Sequence, residues 1–235
     1  MPYGPQTAES QSPAVETFLL GQVPYGRCLE LQERLRRQVA GRDDGQVVVL
    51  ICEHPEVITI GRGGRRSDVA ASGALCSRQI ETHWTNRGGG SLVHCPGQLA
   101  IYPILPLGWH ALSVGQYIHR LQAALAKTLV ELGVQVHVPL GRLGVWGRTG
   151  QLAFLGVAVR DWVTWHGAFL NVSPALGLFR LVQTDPAGGT PAGSIAAERC
   201  GVVRMATVRA VLVRHLTEAF GCDRYHLYTG HPWLK

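Results

Sequence analysis

Residues 151–160 and 162–172 read QLAFLGVAVR and WVTWHGAFLNV. Two long apolar, β-branched runs with so little between them leave no room for a crossover, so they fold back on each other as a hairpin of antiparallel strands. A third strand candidate, GVWG at 144–147, precedes them across an equally short polar turn. Neighbouring antiparallel strands, set among helices, give the class: a mixed α+β domain with a largely antiparallel sheet.

The flanking sequence supplies the helices. SVGQYIHRLQAALAKTLVELG (113–133) is the clearest one: Val114, Ile118, Leu121, Leu125 and Leu129 recur at helical spacing, Ser113 is its N-cap and Gly133 its stop. YGRCLELQERLRRQVAGR (25–42) carries an apolar stripe of Leu29, Leu31, Leu35 and Val39, and MATVRAVLVRHLTEAFG (205–221) one of Val208, Leu212, Leu216 and Ala219. Further strands are expected at TFLLGQV (17–23), VVVLICEH (47–54), VITIGRGG (57–64) and LAIYPILPL (99–107), the last confined by its prolines to an edge or an end. IETHWTN (80–86) leads into a glycine loop, and TDPAGGTPAGS (184–194) is a Gly/Pro-rich loop. With no repeat and no linker, a single domain is expected over 16–225, between a disordered tail at 1–15 and a C-terminal tail at 226–235.

Composition narrows the function. At 46% hydrophobic and 16% charged residues, the 235-residue chain can bury a core and is too apolar for disorder. The net charge of +6 comes mostly from scattered arginines such as Arg34, Arg36, Arg37, Arg65, Arg66 and Arg204, a solvated basic surface rather than a nucleic-acid stripe. No apolar run reaches about 18 residues, so no membrane span is expected. The polar, proline-bearing N-terminus does not read as a signal peptide. Cys28, Cys52, Cys76, Cys95, Cys200 and Cys222 show neither a CxxC pair nor zinc spacing, and read as free thiols of a reducing cytoplasm. His54, His83, His110 and His119 likewise show no metal spacing. The expectation is a cytoplasmic protein with no metal and no cofactor.

The stretch most suggestive of chemistry is RGGGSLVHCPGQ, residues 87–98. Successive glycines let backbone N–H groups converge on an anion or allow a ligand carbonyl close approach. The run is neither a P-loop, lacking a following Gly-Lys-Ser/Thr, nor GxGxxG; a plain turn between two strands is the competing reading. His94 and Cys95 suggest a base and a nucleophile, but neighbours on a strand face opposite ways.

RGGGSLVHCPGQLAIYPIL (87–105) resembles the signature of the lipoyl(octanoyl) transferases. FLLGQVPYGRCLELQERL (18–35), CEHPEVITIGR (52–62), LGVAVRDWVTWHGAFLNV (155–172) and SIAAERCGVVRMATVRAVLVRHLTEAFG (194–221) extend the likeness over residues 17–221 in the right order. A more distant similarity reaches lipoate-protein and biotin ligases. The resemblance implies an α+β fold with a mixed, mainly antiparallel sheet, and transfer of an octanoyl group from acyl carrier protein to a lysine of a lipoyl domain. A cysteine would carry the acyl chain as a thioester, activated by a nearby lysine. It also implies substrate-binding roles for Arg87, Gly88, Gly89, Gly90, Ser91, Leu92, Val93 and His94, for Phe154, Leu155 and Gly156, and for His166, Gly167, Ala168 and Phe169. Read without the family, the same apolar and small residues are ordinary core strand positions.

Against that pattern two residues are missing. The family lysine falls on Gln151, whose neutral amide cannot stabilise a thiolate by charge. The two lysines of the chain, Lys127 and Lys235, lie outside the matched segments, and Arg148 is the nearest cation in sequence. The family cysteine falls on Asp185 by ungapped counting or on Ala187 when Pro-x-Gly is aligned. Three readings follow: a pseudoenzyme that binds acyl carrier or lipoyl domain; a transferase with Cys95 as relocated nucleophile and His94 beside it; or direct attack by the lipoyl lysine, with Arg87, His94 and the glycine amides stabilising an oxyanion.

Overall fold

A computed structural model describes residues 14–69, 80–183 and 191–234. Its order is β1 (Val15–Gln22), α1 (Tyr25–Ala40), β2 (Val47–Glu53), β3 (Val57–Ile60), β4 (Glu81–Trp84), β5 (Ser91–His94), β6 (Gln98–Ile104), α2 (Val114–Glu131), β7 (Gly144–Gly147), β8 (Gly150–Arg160), β9 (Val163–Asn171), α3 (Ile195–Arg199), α4 (Met205–Ala219) and β10 (Tyr225–Thr229). The main sheet runs β10-β1-β2-β6-β9-β8-β7, and a smaller one runs β4-β3-β5. Among the described residues, β1 pairs in parallel with β2 and β10, and β4 with β3; the other ladders are antiparallel, as expected for an α+β domain.

The strand period of two divides the core. Val47, Val49 and Ile51 of β2 join Leu121, Leu125, Leu212 and Leu216 of α2 and α4 on one face. Val48, Leu50 and Cys52 join Leu31 and Leu35 of α1, with Ile58 and Leu92 of the small sheet, on the other. Because β2 is buried on both sides, it reads as one unbroken apolar run. Ser113 and Gln116 close a capping box at the start of α2, and Gly133 (φ +74°) follows its end.

Three expectations are corrected. The proline-bearing strand is central: β6 lies between β2 and β9. Pro103 is tolerated because the β9 ladder ends at Ile101 and Ala168, before the proline, while Pro103 still sits opposite Val49 of β2. Residues 226–229, expected in a tail, belong to β10 and pair with β1, and Trp233 beyond them lies under the Arg34 guanidinium, 3.5 Å from its centre. Every β10 residue is exposed, so the strand carries no alternating pattern by which to read it. Finally, the inner face of α1 is not purely apolar: Tyr25, Cys28, Gln32 and Arg36 are buried there, whereas Leu29 is half-buried.

The hairpin that set the class is present. β8 and β9 join through Asp161 and Trp162, both at positive φ (52° and 55°), the two-residue geometry that matches strand twist. Arg36 Nη1 donates to Asp161 Oδ2 at 2.8 Å and holds the turn to α1.

Candidate functional site

The glycine loop lies pressed between β8 and the turn after β3. Gly88 N donates to Val157 O (2.8 Å), Gly61 N to Gly90 O (3.1 Å) and Gly63 N to Gly89 O (3.0 Å). A Cβ on Gly156 would stand 2.8 Å from Gly88 O, and one on Gly61 2.5 Å from Gly89 O. Side chains at either position would force these backbones apart, which is why glycines face each other here.

Behind the loop runs one buried chain of hydrogen bonds. Arg87 donates through Nη2 to Thr59 Oγ1 (2.7 Å) and to Thr59 O (2.9 Å), and through Nη1 to Gly88 O (3.0 Å). A guanidinium only donates, so the Thr59 hydroxyl accepts and passes its own hydrogen to His94 Nε2, 2.8 Å away. His94 therefore carries its proton on Nδ1 and donates it to Gln98 Oε1 at 2.8 Å. Gln98 Nε2 donates to Asn171 Oδ1 (2.9 Å), Asn171 Nδ2 to Gly193 O (2.9 Å), and Gly193 N to Gln151 O (2.9 Å). Burial, reinforced by His54 and Arg87, holds the His94 pKa well below its usual value, so the ring stays neutral. With both nitrogens engaged, His94 positions the loop and has no lone pair left for proton transfer.

In front of the loop a cavity of about 220 Å³ is lined by Arg87, Gly89, Gly90, Ser91 and Leu92, by Gln151, Phe154, Leu155 and Gly156 of β8, by Phe169 of β9, and by Arg142, Leu143 and Trp146. A second hollow of about 280 Å³ shares Leu143, Leu155 and Gly156 and continues past Gly88 and Val157 to Val114 and Ile118 of α2. The structure thus brings together most of the residues singled out in sequence. Val93, His94, His166, Gly167 and Ala168 line neither hollow. Gly167 is a packing glycine: a Cβ there would fall 2.1 Å from Ile101 O.

His166 is the strained member. It sits in mid-strand at φ +54°, its N–H donates to Gln32 Oε1 of α1 (2.9 Å), and its Nε2–H donates to Asn86 Oδ1 (3.0 Å). Nδ1 is buried and has no hydrogen-bond partner among the described residues. Burial, with Arg87 and Arg62 nearby, pulls the pKa down to about 3. A non-glycine residue held in such a conformation from a separate helix marks a position where geometry outweighs local strain.

Cys95 lies elsewhere. It is 1% exposed, packed in the apolar cluster with Val93, Leu178 and Phe179, and it lines neither hollow. Burial pushes its thiol up to about 11, the wrong direction for a nucleophile. Nor does Arg148, the cation nearest in sequence, line the cavity. Arg142 does, 4.9 Å from the Trp146 ring centre and on the same wall as Gln151. Gln151 Nε2 donates to Ala153 O at 3.1 Å.

The model of the lipoyl protein ligase A/B catalytic domain matches residues 24–217. The chain belongs to that family. It is 38% identical over 178 residues to an octanoyltransferase of Geobacter metallireducens, covering 76% of this chain and 80% of the relative. It is 37% identical over 203 residues to an octanoyltransferase of Gloeobacter violaceus, covering 86% and 88%. The fold superposes with a TM-score of 0.76 on the bi-partite lipoate protein ligase of Thermoplasma acidophilum, whose structure was determined in a study with its E2 lipoyl domain; that match covers 94% and 89% at 16% identity.

Within this lipoyl protein ligase A/B chain, Asp185 and Ala187 lie outside the described residues. The chain re-enters at Pro191, whose carbonyl accepts from Gln151 N (2.9 Å), and Ala192 then bridges to Gln151 in parallel. The sequence reading missed Thr59, Gln98 and Asn171, and also Arg142, Leu143 and Trp146. Gln98 ends the motif that was read, and its partner Asn171 follows the HGAFL run, so a network extending beyond His94 was signalled there. Arg142 and Leu143 sit in a stretch with no motif at all. Among the described residues, no helix is long and apolar enough to cross a membrane.

Proposed function

We propose that this chain binds an octanoyl group destined for a lipoyl-domain lysine, in the cavity between the glycine loop and β8, without storing it as a thioester on Cys95. The observation that carries the reading is the cavity wall itself. Leu92, Phe154, Leu155 and Phe169 are apolar and suit an alkyl chain, while Gly89 and Gly90 bring backbone to its edge. The octanoyltransferase relatives support the acyl group, the Thermoplasma ligase studied with its lipoyl domain supports the acceptor class, and the acyl carrier as donor follows from the resemblance alone. Cys95 is buried away from the cavity, and Gln151 supplies no charge to activate a thiol.

A second reading, direct transfer from acyl carrier to the lysine amine, is favoured by one feature. The Gly89 and Gly90 amides donate to no described group, and Arg142 places a permanent cation on the same wall; together they suit an oxyanion. The test is incubation with octanoyl-acyl carrier protein and apo lipoyl domain, followed by intact-mass spectrometry of both proteins. Saturable carrier binding without an adduct on this chain is the expected result, and octanoylated lipoyl domain without that adduct identifies direct transfer. An octanoyl thioester on Cys95 overturns the proposal.

A further inference from the structure

The two hollows lie on opposite faces of β8. Phe154 and Phe169, which line the first, belong to the apolar cluster shared with α1. Val157 and Ile118, which line the second, lie with the cluster shared with α2 and α4. The hollows meet at the edge of the strand, where Leu143, Leu155 and Gly156 line both. The register explains why they meet there. The ladder to β7 starts at Gly144 opposite Phe154, and the glycine loop takes over at Val157, whose carbonyl accepts from Gly88 N at 2.8 Å. Between those two points, Leu155 and Gly156 have β9 on one side and no described strand on the other.

Leu143 fills that gap. It immediately precedes the ladder, so it lies across from Leu155. Leu155 and Gly156 are fixed in β8 by their partners Ala168 and Gly167, which leaves Leu143 as the loop-borne side chain of the junction. The loop is anchored from behind. Buried Gln122 of α2 donates through Nε2 to Arg142 O (3.0 Å) and to Gly144 O (2.7 Å), the carbonyls of the residues on either side of Leu143. An amide nitrogen carries two hydrogens, so both bonds are made at once. A Cβ on Gly144 (φ +150°) would stand 2.3 Å from Gln151 Nε2, so glycine is what lets this end of the loop close against β8.

We infer that Leu143, held in place by Gln122, limits the length of the acyl chain that this site accepts. The inference rests on octanoyl binding in the first hollow, as proposed above. With Leu143 in place, the chain ends within the hollow of about 220 Å³. With that side chain shortened, the passage opens into the neighbouring hollow of about 280 Å³, where Val114, Ile118, Val157 and Val159 offer aliphatic walls. Further methylenes gain there by leaving water. Arg62 is the one charged residue lining that second hollow, so its chemistry suits a saturated extension rather than a polar one. Leu143 is thus a specificity-determining residue, and Gln122 a positioning residue that acts through it.

The test compares octanoyl- and dodecanoyl-acyl carrier protein by fluorescence anisotropy, with unacylated carrier as the baseline. The wild-type chain should bind the octanoyl form at least about tenfold more tightly than the dodecanoyl form, the scale on which an apolar pocket rejects surplus methylenes. Leu143→Ala should abolish or reverse that preference; Leu143 is 53% exposed, so its truncation leaves the core intact. Leu140→Ala, in the same loop but lining neither hollow, should keep the wild-type preference. Gln122→Leu should shift the preference as Leu143→Ala does, a change that a general loss of stability does not produce, and an unchanged preference in the folded variant overturns the positioning role. Wild-type discrimination in Leu143→Ala, or none in the wild type, overturns the inference while acyl binding in the first hollow stands. Octanoyl carrier that binds no more tightly than unacylated carrier overturns the acyl-binding reading itself.

Discussion

The Thr59 hydroxyl stands 2.8 Å from Nε2 of His94 and links that ring to Arg87. All three residues are at most 2% exposed, so removing the hydroxyl strands a buried acceptor on one side and buried donors on the other. Thr59→Val keeps the shape and is expected to cost about 1–3 kcal/mol or more, because one of the abandoned groups is charged. Thr59→Ser, which keeps the oxygen, should cost clearly less. Urea unfolding of the two variants measures the difference, and equal losses would show that shape rather than hydrogen bonding matters at this position.

Gly156→Ala tests the contact between loop and β8. The new Cβ would sit 2.8 Å from Gly88 O and 3.1 Å from Arg87 Cδ, so the loop must lift from the strand. Overpacking of this kind costs about 1–3 kcal/mol. Binding of octanoyl-acyl carrier protein should weaken at least about tenfold, the equivalent of 1.4 kcal/mol. Titration by fluorescence anisotropy reads the affinity; unchanged binding would place the acyl group elsewhere.

Two buried histidines predict sensitivity to mild acid. Burial holds His54 down to about 4 and His166 down to about 3, while an unfolded histidine titrates near 6.5. Above pH 6.5 both states are unprotonated and the two rings contribute no pH dependence. Between pH 6.5 and about 4 the unfolded chain takes up protons that the folded chain refuses, so stability falls by up to ~1.4 kcal/mol per pH unit for each ring. Urea unfolding at pH 7.5 and pH 5 should show this loss. His166→Asn, which accepts positive φ, should reduce it. An equal loss in that variant would remove His166 from the account.

The hairpin turn offers a stabilising change. Trp162 is 64% exposed and held at φ +55°. Trp162→Gly relieves the left-handed strain of about 1–2 kcal/mol, offset in part by glycine's greater freedom when unfolded. The melting temperature should rise by a few degrees. A fall would mean that the indole makes contacts worth more than the strain.

Much of the fold was legible because its signals are local. The β8–β9 hairpin follows from two apolar runs and a short turn, α2 from its spacing and its Ser113 cap, and β2 from a run buried on both faces. β6 and β10 were misread for a common reason. Whether a proline or an exposed strand is tolerated depends on which neighbours share its hydrogen bonds, and neighbours are set by distant sequence.

The site divides in the same way. The sequence by itself determined the glycine loop, the β8 and β9 walls and the absence of a lysine at Gln151, since each is a matter of residue type in a continuous segment. Only the tertiary structure decided that His94 has both nitrogens occupied by Thr59 and Gln98, that Cys95 faces the core, and that Arg142 rather than Arg148 shares the cavity with Gln151. Those are statements about direction and burial. They arise when strands from separate parts of the chain pair and exclude water, and that pairing fixes which side chains still have a free atom to offer.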